Sequence, residues 1–258
     1  MLTSDRHWDN PKSDWDLQKF HLDQALEHNA QVIDAGDWFC LMQGKFDPRS
    51  SKGGMRPEHD NPDYLGSVIE TAVDFFEPYA KNIAVIGKGN HEESILQRQG
   101  LDMNSHFVGA LNERAKTNIV SGGLRGFVFF RCFDDSGNGQ TKVLHYYHGA
   151  GGGGVVTKGT LQPLRVAAVT PDADIVMSGH IHEQWMFPIQ RMRVSKNGVV
   201  SQDRQLHLCC PTYKEEFGDG STGWHNLQMR PPKPLGAWWL KLYRRNKEIK
   251  IHVEAAEI

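Results

Sequence analysis

The stretch "IAVIGKGNHE", residues 83–92, carries the pattern on which the fold prediction depends. Its first four residues are apolar, which suits a short buried strand, and the glycines after them favour a turn. Three polar side chains, Asn90, His91 and Glu92, follow at once. In open α/β sheets, ligands gather outside the carboxyl ends of the strands, so this turn is a candidate for chemistry as well as for chain reversal.

The chain repeats this arrangement of an apolar strand followed by polar residues. The other examples are Asp5 and His7 in "SDRH", Asp37 in "AGDW", His148 in "HYYHG", and His180 and His182 in "SGHIH". Segments with helical spacing alternate with these strands, around residues 17–26, 64–79, 105–115 and 161–170, and residues 184–258 are mostly strand-like. The alternation predicts an α/β layered fold with buried strands. We expect a single domain over residues 1–258.

Composition places the protein among soluble globular chains. Apolar residues make up 39% and charged residues 23% of the sequence. No window approaches the roughly 20 apolar residues that span a bilayer, and the first ten residues lack a basic segment followed by an apolar one. We therefore expect a cytoplasmic protein without a membrane partner. The four cysteines have no CxxC spacing and are expected to be reduced thiols.

Charge is unevenly distributed along the chain. Residues 184–258 hold 12 Lys and Arg against 7 Asp and Glu, whereas the whole chain has a net charge of -2. This basic region could meet an anionic substrate, nucleic acid included, or form a solvated surface. Three polar or glycine-rich stretches, residues 44–61, 149–154 and 219–234, are predicted to be surface loops. The sequence carries no signal for the oligomeric state.

The polar residues at the strand ends suit a metal site. In extended backbone, residues i and i+2 point to the same side, so each Asp5–His7 and His180–His182 pair can face one point. Carboxylate, amide and imidazole groups bind divalent ions such as Mn, Fe, Zn, Ni or Co. Seven candidate ligands are too many for one ion with an open position, but they suit two ions that share a carboxylate. The candidates are Asp5, His7, Asp37, Asn90, His148, His180 and His182.

Five motifs, taken in order, resemble the calcineurin-like metallophosphoesterases. They are Asp5-Arg6-His7, Gly36-Asp37, Gly89-Asn90-His91-Glu92, His148-Gly149 and Gly179-His180-Ile181-His182, and they span residues 5–182. The resemblance implies a four-layer α/β/β/α sandwich of two mixed β-sheets flanked by helices. It also implies that Asp5, His7 and His182 bind one ion, that Asn90, His148 and His180 bind the other, and that Asp37 bridges the two.

The same resemblance gives His91 the role of general acid or transition-state stabiliser. Imidazole suits proton donation near neutral pH. Many family members have an Asp at the position of Cys40, so His91 must be oriented by another partner, by Glu92 or by a backbone carbonyl. Arg6 lies between two ligands and is a candidate for substrate binding, with a solvated arginine as the equal alternative.

The resemblance implies a metal-dependent phosphoesterase in which a metal-bridging hydroxide attacks phosphorus. The basic region at residues 184–258 and the aromatic residues near Asp37 favour a phosphodiester, either a nucleotide or a nucleic acid. One alternative is a phosphomonoesterase or protein phosphatase. Another is a non-catalytic binding scaffold on the same fold. Manganese is one of the ions that this ligand set accepts.

Overall fold

The computed structural model describes residues 1–43, 50, 54–134, 136–152, 154, 156–218, 224–246 and 248–257. Its strands are β1 (Leu2–Thr3), β2 (Val32–Asp34), β3 (Ile83–Ile86), β4 (Val120–Ser121), β5 (Arg125–Phe133), β6 (Gly139–Tyr147), β7 (Ile175–Ser178), β8 (Trp185–Val194), β9 (Val200–Cys209), β10 (Trp238–Arg245) and β11 (Glu248–Ala255). Its α-helices are α1 (Trp15–Glu27), α2 (Tyr64–Phe76), α3 (Asn90–Gln99), α4 (Met103–Ala115), α5 (Gln162–Val169) and α6 (Trp224–Leu227). Short 3-10 helices span Pro57–His59 and Glu77–Asn82.

Aspartates begin three of the helices. The side chain of Asp14 accepts a hydrogen bond from the Leu17 amide at 2.9 Å, and Asp63 and Asp102 occupy the same position before α2 and α4. These carboxylates satisfy amide groups that have no partner inside the helix, and their charge suits the helix dipole.

The strands form two mixed sheets. In the first, the order is β11-β10-β1-β2-β3-β4, with β1 to β4 parallel and β10 and β11 antiparallel to their neighbours. In the second, the order is β5-β6-β7-β9-β8, with parallel pairing of β6, β7 and β9 at its centre. Parallel neighbours end at the same edge, so the segments after β1, β2 and β3 meet, as do those after β6 and β7.

Two apolar cores define the layers. One lies between the first sheet and helices α1, α2 and α4, and it includes Val32, Ile83, Phe76 and Phe107. The other lies between the sheets, where it joins residues such as Ile33 and Val85 to members of β6, β7 and β9: Leu144, Tyr146, Ile175, Met177, Leu206 and Leu208. Helix α5 lies between the parallel strands β6 and β7 in the chain.

The predicted sandwich of two mixed sheets flanked by helices is confirmed. Two α-helices of the described residues were not predicted. Helix α6 lies in the predicted loop at residues 219–234, and α3 begins at Asn90, where the sequence pattern suggested only a turn. Parts of the three predicted loops, at 44–49, 51–53, 153 and 219–223, lie outside the described residues. The single-domain organisation stays a prediction. Within the described part of the chain, no helix is both long enough and apolar enough to cross a membrane.

Candidate metal centre

The first sheet brings four of the predicted ligands to one edge. Asp5 and His7 follow β1, Asp37 follows β2, and Asn90 opens the helix that follows β3. Backbone hydrogen bonds hold these segments in register beyond the strands: the Asp5 amide donates to the Gly36 carbonyl at 2.9 Å, and the His7 amide donates to the Asp37 carbonyl at 3.0 Å. The two loops therefore run side by side, and their side chains meet.

The second sheet brings the remaining three ligands to the same place. His148 follows β6, and His180 and His182 follow β7. The amide of His180 donates to Asp5 Oδ2 at 2.8 Å, and a ring nitrogen of His148 lies 3.2 Å from the Ala35 carbonyl oxygen. These contacts link the edges of the two sheets, so the candidate centre lies at the junction between them.

Most of the predicted ligands have an unusual backbone. Asp5, His7, Asp37, His180 and His182 have φ between 45° and 71°, in the left-handed region that residues other than glycine rarely enter. The Asp5–His7 and His180–His182 pairs do converge, as predicted. They converge through left-handed backbone, so the predicted extended backbone was wrong. Each such residue costs about 1–3 kcal/mol and is typical of a functional site.

The first group of donors consists of Asp5, His7 and His182. The donor atoms of these residues all lie within 4.8 Å of one another. Asp5 Oδ1 is 3.2 Å from His182 Nε2 and 3.9 Å from His7 Nε2, and the two histidine nitrogens are 3.3 Å apart. Oδ1 of Asp5 is buried and has no hydrogen-bond partner.

The second group consists of Asp37, His148 and His180, whose donor atoms meet the same 4.8 Å limit. His148 Nε2 is 3.1 Å from Asp37 Oδ2 and 3.1 Å from Asn90 Oδ1. The structure thus places Asn90 at this group as well, and it brings all seven predicted ligands together. Their roles as ligands stay a prediction.

Electrostatic effects at the centre favour three of the candidate ligands in the form that binds metals. Burial and the nearby His91 hold the pKa of His7 well below its usual range, and burial together with His148 lowers the pKa of His180. Burial opposes ionisation of Asp37, but the adjacent His148 and His91 hold its pKa well below its usual range. Neutral imidazole and ionised carboxylate are the states that coordinate a cation.

The pKa of His148 indicates an excess of negative charge at the centre. Burial alone would lower the pKa of His148, but the carboxylates of Asp37, Asp5 and Glu92 raise it to about 10. His148 therefore acts as the cation that these acids attract. A divalent ion would satisfy the same field, and the partnerless Asp5 Oδ1 is an oxygen it could bind. The residues present fit a metal centre.

His91 is oriented by the backbone of Cys40. Its Nδ1 forms a short hydrogen bond with the Cys40 carbonyl oxygen, and its Nε2 lies 3.7 Å from Asp37 Oδ2. Of the alternatives left open by the sequence, the structure selects the backbone carbonyl. The His91 side chain is 11% exposed, so it lies at the boundary between the buried centre and solvent.

Glu92 holds together the two loops that carry Asp37 and Asn90. Its carboxylate accepts hydrogen bonds from the Phe39 amide and from the Gly89 amide, both at 2.8 Å. Burial and the charge of Asp37 raise the pKa of Glu92 to about 8. An acidic residue three positions after the N-cap is a recognised helix-start signal, so the contact with Gly89 and helix α3 could have been predicted together. The contact with Phe39 joins distant segments and could not.

Asp9 is a supporting residue that sequence reasoning missed. Its two carboxylate oxygens accept hydrogen bonds from the amides of Cys40 and Leu41, and Oδ2 also accepts one from the Tyr64 hydroxyl at 3.0 Å. It thereby fixes the segment whose carbonyl orients His91. Nothing in the local sequence around Asp9 indicates these contacts, because all three partners are 31 or more residues away.

The structure does not support a substrate contact by Arg6. The guanidinium has no exposed surface and lies 3.4 Å from Asp34 Oδ2. It stacks between the rings of Trp38 and Tyr213, at 4.6 and 4.9 Å from their centroids. Arg6 points into the protein, away from the edge at which its neighbours Asp5 and His7 meet, and its contacts are with structural residues.

The fold and the site define the class of the protein: an α/β/β/α sandwich with a candidate two-ion centre at the strand ends.

No protein-family model matches the sequence, and no curated protein is significantly similar to it. Two solved structures are similar along almost the whole chain. One is a calcineurin-like phosphoesterase, YfkN, of Bacillus subtilis, with 14% identity, a TM-score of 0.38 and coverage of 98% of this chain and 89% of that chain.

The other is a conserved uncharacterized protein of Streptococcus pneumoniae, a predicted phosphoesterase, with 13% identity, a TM-score of 0.35 and coverage of 98% and 87%. We base the functional assignment on the residues of this chain, because TM-scores at this level do not establish a common fold.

Proposed function

We propose that this chain is a calcineurin-like metallophosphoesterase that hydrolyses a phosphodiester at the strand-end centre. The observation that carries the proposal is the convergence of seven oxygen and nitrogen donors from two sheets. Six of them form two groups whose donor atoms lie within 4.8 Å of one another, and Asn90 Oδ1 is 3.1 Å from His148 Nε2 in the second group. Asp5, His7 and His182 would hold one divalent ion, and Asn90, His148 and His180 the other, with Asp37 between them. Manganese, iron, zinc, nickel and cobalt all accept such ligands.

Two divalent ions, when bound here, would supply an activated water and neutralise the charge of the phosphate oxygens. The protein's own residues orient the reaction. The left-handed backbone at Asp5, His7 and Asp37 directs their side chains to one point. The Glu92 carboxylate keeps the loop of Asp37 against the start of α3.

His91 is the proposed proton donor to the leaving alkoxide. Its Nδ1 is engaged by the Cys40 carbonyl, which directs Nε2 towards Asp37 and the centre. The carbonyl accepts a hydrogen bond from Nδ1–H and fixes the ring orientation, so the proton for the leaving alkoxide is the one that Nε2 carries when the ring is an imidazolium. This arrangement takes the place of the carboxylate partner that many family members have at position 40.

An exposed lysine next to the centre supports an extended anionic substrate. Lys158 is 57% exposed, and its neighbour Gly159 lies against the side chain of Ile181, the residue between two proposed ligands. Its ammonium is 3.9 Å from the Glu183 carboxylate, a loose contact that a substrate phosphate could replace. A diester with further phosphate groups, as in a nucleotide or nucleic acid, would use this charge.

The proposal is tested with Asp37→Asn and His180→Gln, assayed on mono- and bis-(p-nitrophenyl) phosphate after supplementation with each metal. We expect losses of more than about 100-fold in kcat/KM. Mutation of residues that only orient a metal ligand typically lowers activity by about 10- to 100-fold, and loss of the ligand itself should lower it at least as much. His252→Gln is the matched control, since that histidine is 55% exposed. Undiminished turnover in both variants would refute the centre.

Two other outcomes would replace the proposed function. A clear preference for the monoester would favour a phosphomonoesterase or protein phosphatase. A metal content near zero in the supplemented wild-type protein, measured by elemental analysis, would favour a binding scaffold on the same fold.

A further inference from the structure

A third set of donor atoms overlaps the proposed catalytic centre. Donor atoms of His7, Cys40 and His91 lie within 4.8 Å of one another, the same limit that the two proposed catalytic groups meet. This set shares His7 with the first catalytic group and shares His91 with the proposed proton-transfer step. Of the three sets found among the described residues, this one contains a sulfur donor, Cys40 Sγ.

The backbone of Cys40 is held from both sides, and its thiol accepts a hydrogen bond from the Asn10 side chain. The Cys40 amide donates to Asp9, and the Cys40 carbonyl engages His91 Nδ1. The Asn10 amide lies 3.2 Å from Sγ, and the residue is only 2% exposed. The sulfur therefore cannot rotate freely away from the two imidazoles.

His7 offers a second observation that points to a ligand. The residue is 2% exposed, and its Nδ1 is buried without a hydrogen-bond partner. A buried imidazole nitrogen that has no donor or acceptor nearby is costly unless something binds it. His7 also has a left-handed backbone, with φ of 45°, which holds the ring between Asp5 and Cys40.

We propose that His7, Cys40 and His91 form a binding site for a thiophilic divalent cation, Cd²⁺ or excess Zn²⁺, and that filling this site inhibits hydrolysis. Zinc–sulfur and zinc–nitrogen bonds of about 2.3 and 2.0 Å require the three donors to close in by less than about 1 Å. Binding forms one bond to sulfur and two to nitrogen, and the thiol proton is released to solvent. Mg²⁺ and Ca²⁺ prefer oxygen ligands and would not fill this site.

Inhibition follows from the two shared residues. A neutral imidazole has one lone pair, so a cation bound to His7 prevents that ring from binding the first catalytic ion through Nε2. The same cation occupies His91, the proposed proton donor. This part of the inference rests on the proposed function. The binding of the cation does not, because it depends only on the three donors.

The binding is tested by titrating the metal-free protein with Cd²⁺ and following the near-ultraviolet thiolate-to-cadmium charge-transfer band. We expect the band in wild type and in Cys132→Ser, and a loss of at least about tenfold in Cd²⁺ affinity in Cys40→Ser. Cys132 is the matched control because it lies in β5, outside the centre. An unchanged band in Cys40→Ser would overturn the proposal.

A second variant keeps the test decisive. If thermal unfolding shows that Cys40→Ser does not fold, His91→Gln removes another donor of the set and must weaken the band by a similar factor. An unchanged affinity in a folded His91→Gln protein would also overturn the site.

Inhibition is then measured with the manganese-loaded enzyme. We expect the Cd²⁺ concentration for half-inhibition, relative to each protein's own rate, to rise at least about tenfold in Cys40→Ser and to stay unchanged in Cys132→Ser. Equal inhibition of both variants would overturn the inhibitory role. If wild type shows no turnover with any metal, the proposed function fails, and the charge-transfer band still decides whether the cation site exists.

Discussion

Replacing Arg6 with Met separates its structural role from substrate binding. Met keeps an apolar side chain between the rings of Trp38 and Tyr213 but removes the charge. The fully buried carboxylate of Asp34, 3.4 Å from the guanidinium, would lose its partner. Hydrogen bonds to Gln18 Oε1 at 3.1 Å and Thr3 Oγ1 at 3.3 Å would also be lost.

The expected magnitude follows from these contacts. Removing one partner of a buried ion pair costs about 3–5 kcal/mol, because the other charge is left without compensation. With a urea m-value of about 3 kcal/mol/M, the unfolding midpoint should fall by about 1–2 M. Arg244→Met is the matched control: Arg244 is 41% exposed and pairs with Asp134 at 2.9 Å, so its loss should cost no more than about 1 kcal/mol.

The pH dependence gives a second readout. Burial raises the pKa of Asp34 from 3.8 to about 6 even though Arg6 opposes the shift. Between these values the unfolded chain releases the proton while the folded protein retains it, so stability falls as pH rises from 3.8 to about 6, by roughly 3 kcal/mol. Without Arg6 the folded pKa rises further, and the fall in stability should continue above pH 6.

The assay is urea unfolding, followed by fluorescence at several pH values, together with steady-state kinetics on a phosphodiester. Adding Asp34→Asn to Arg6→Met should recover about 1–3 kcal/mol, because the stranded carboxylate is removed as well. An unchanged midpoint combined with a raised KM in Arg6→Met would refute the reasoning and restore the substrate contact.

Three further changes have defined outcomes. His91→Gln should lower kcat by about 100-fold or more while elemental analysis shows unchanged metal content, and a proportional loss of metal would instead make His91 a ligand. Gly89→Ala should reduce metal content, because a Cβ there would overlap the Asp37 carboxylate; full metal content with unchanged turnover would contradict this. His207→Gln should reduce the loss of stability in acid. Burial and Arg191 lower the pKa of His207 from 6.5 to about 4, so the wild-type protein loses about 3 kcal/mol of unfolding free energy as pH falls through that interval. If the urea midpoint of the variant follows that of the wild type at every pH, the prediction is refuted.

The strand ends were predictable because each motif is local. An apolar run followed by glycine and a polar residue indicates a buried strand and its end, and parallel strands end at one edge. The predicted helices also agree with the structure in position: α1, α2, α4 and α5 fall within a few residues of their predicted spans. Helix α3 was missed because its first residues, Asn90 to Glu92, were assigned to the turn.

The support around the centre could not be predicted, because it depends on contacts between distant segments. Asp9 reaches Cys40 across 31 residues, Glu92 reaches Phe39 across 53, and the Cys40 carbonyl reaches His91 across 51. Each of these contacts joins a side chain to a backbone group, and a backbone group leaves no mark in the sequence. The sequence therefore left the partner of His91 open.

The sequence by itself determined the layered α/β class and the seven candidate ligands, because apolar periodicity and residue chemistry are properties of short segments. Tertiary structure decided the rest. It turned Arg6 inwards, because a buried Asp34 and two aromatic rings accept the charge more favourably than the strand edge would. It also placed five ligands in left-handed backbone, which each residue alone disfavours and which only the surrounding packing can impose. The segments after β1, β2 and β3 meet at one edge of the first sheet, and this brings the Cys40 thiol to His7 and His91.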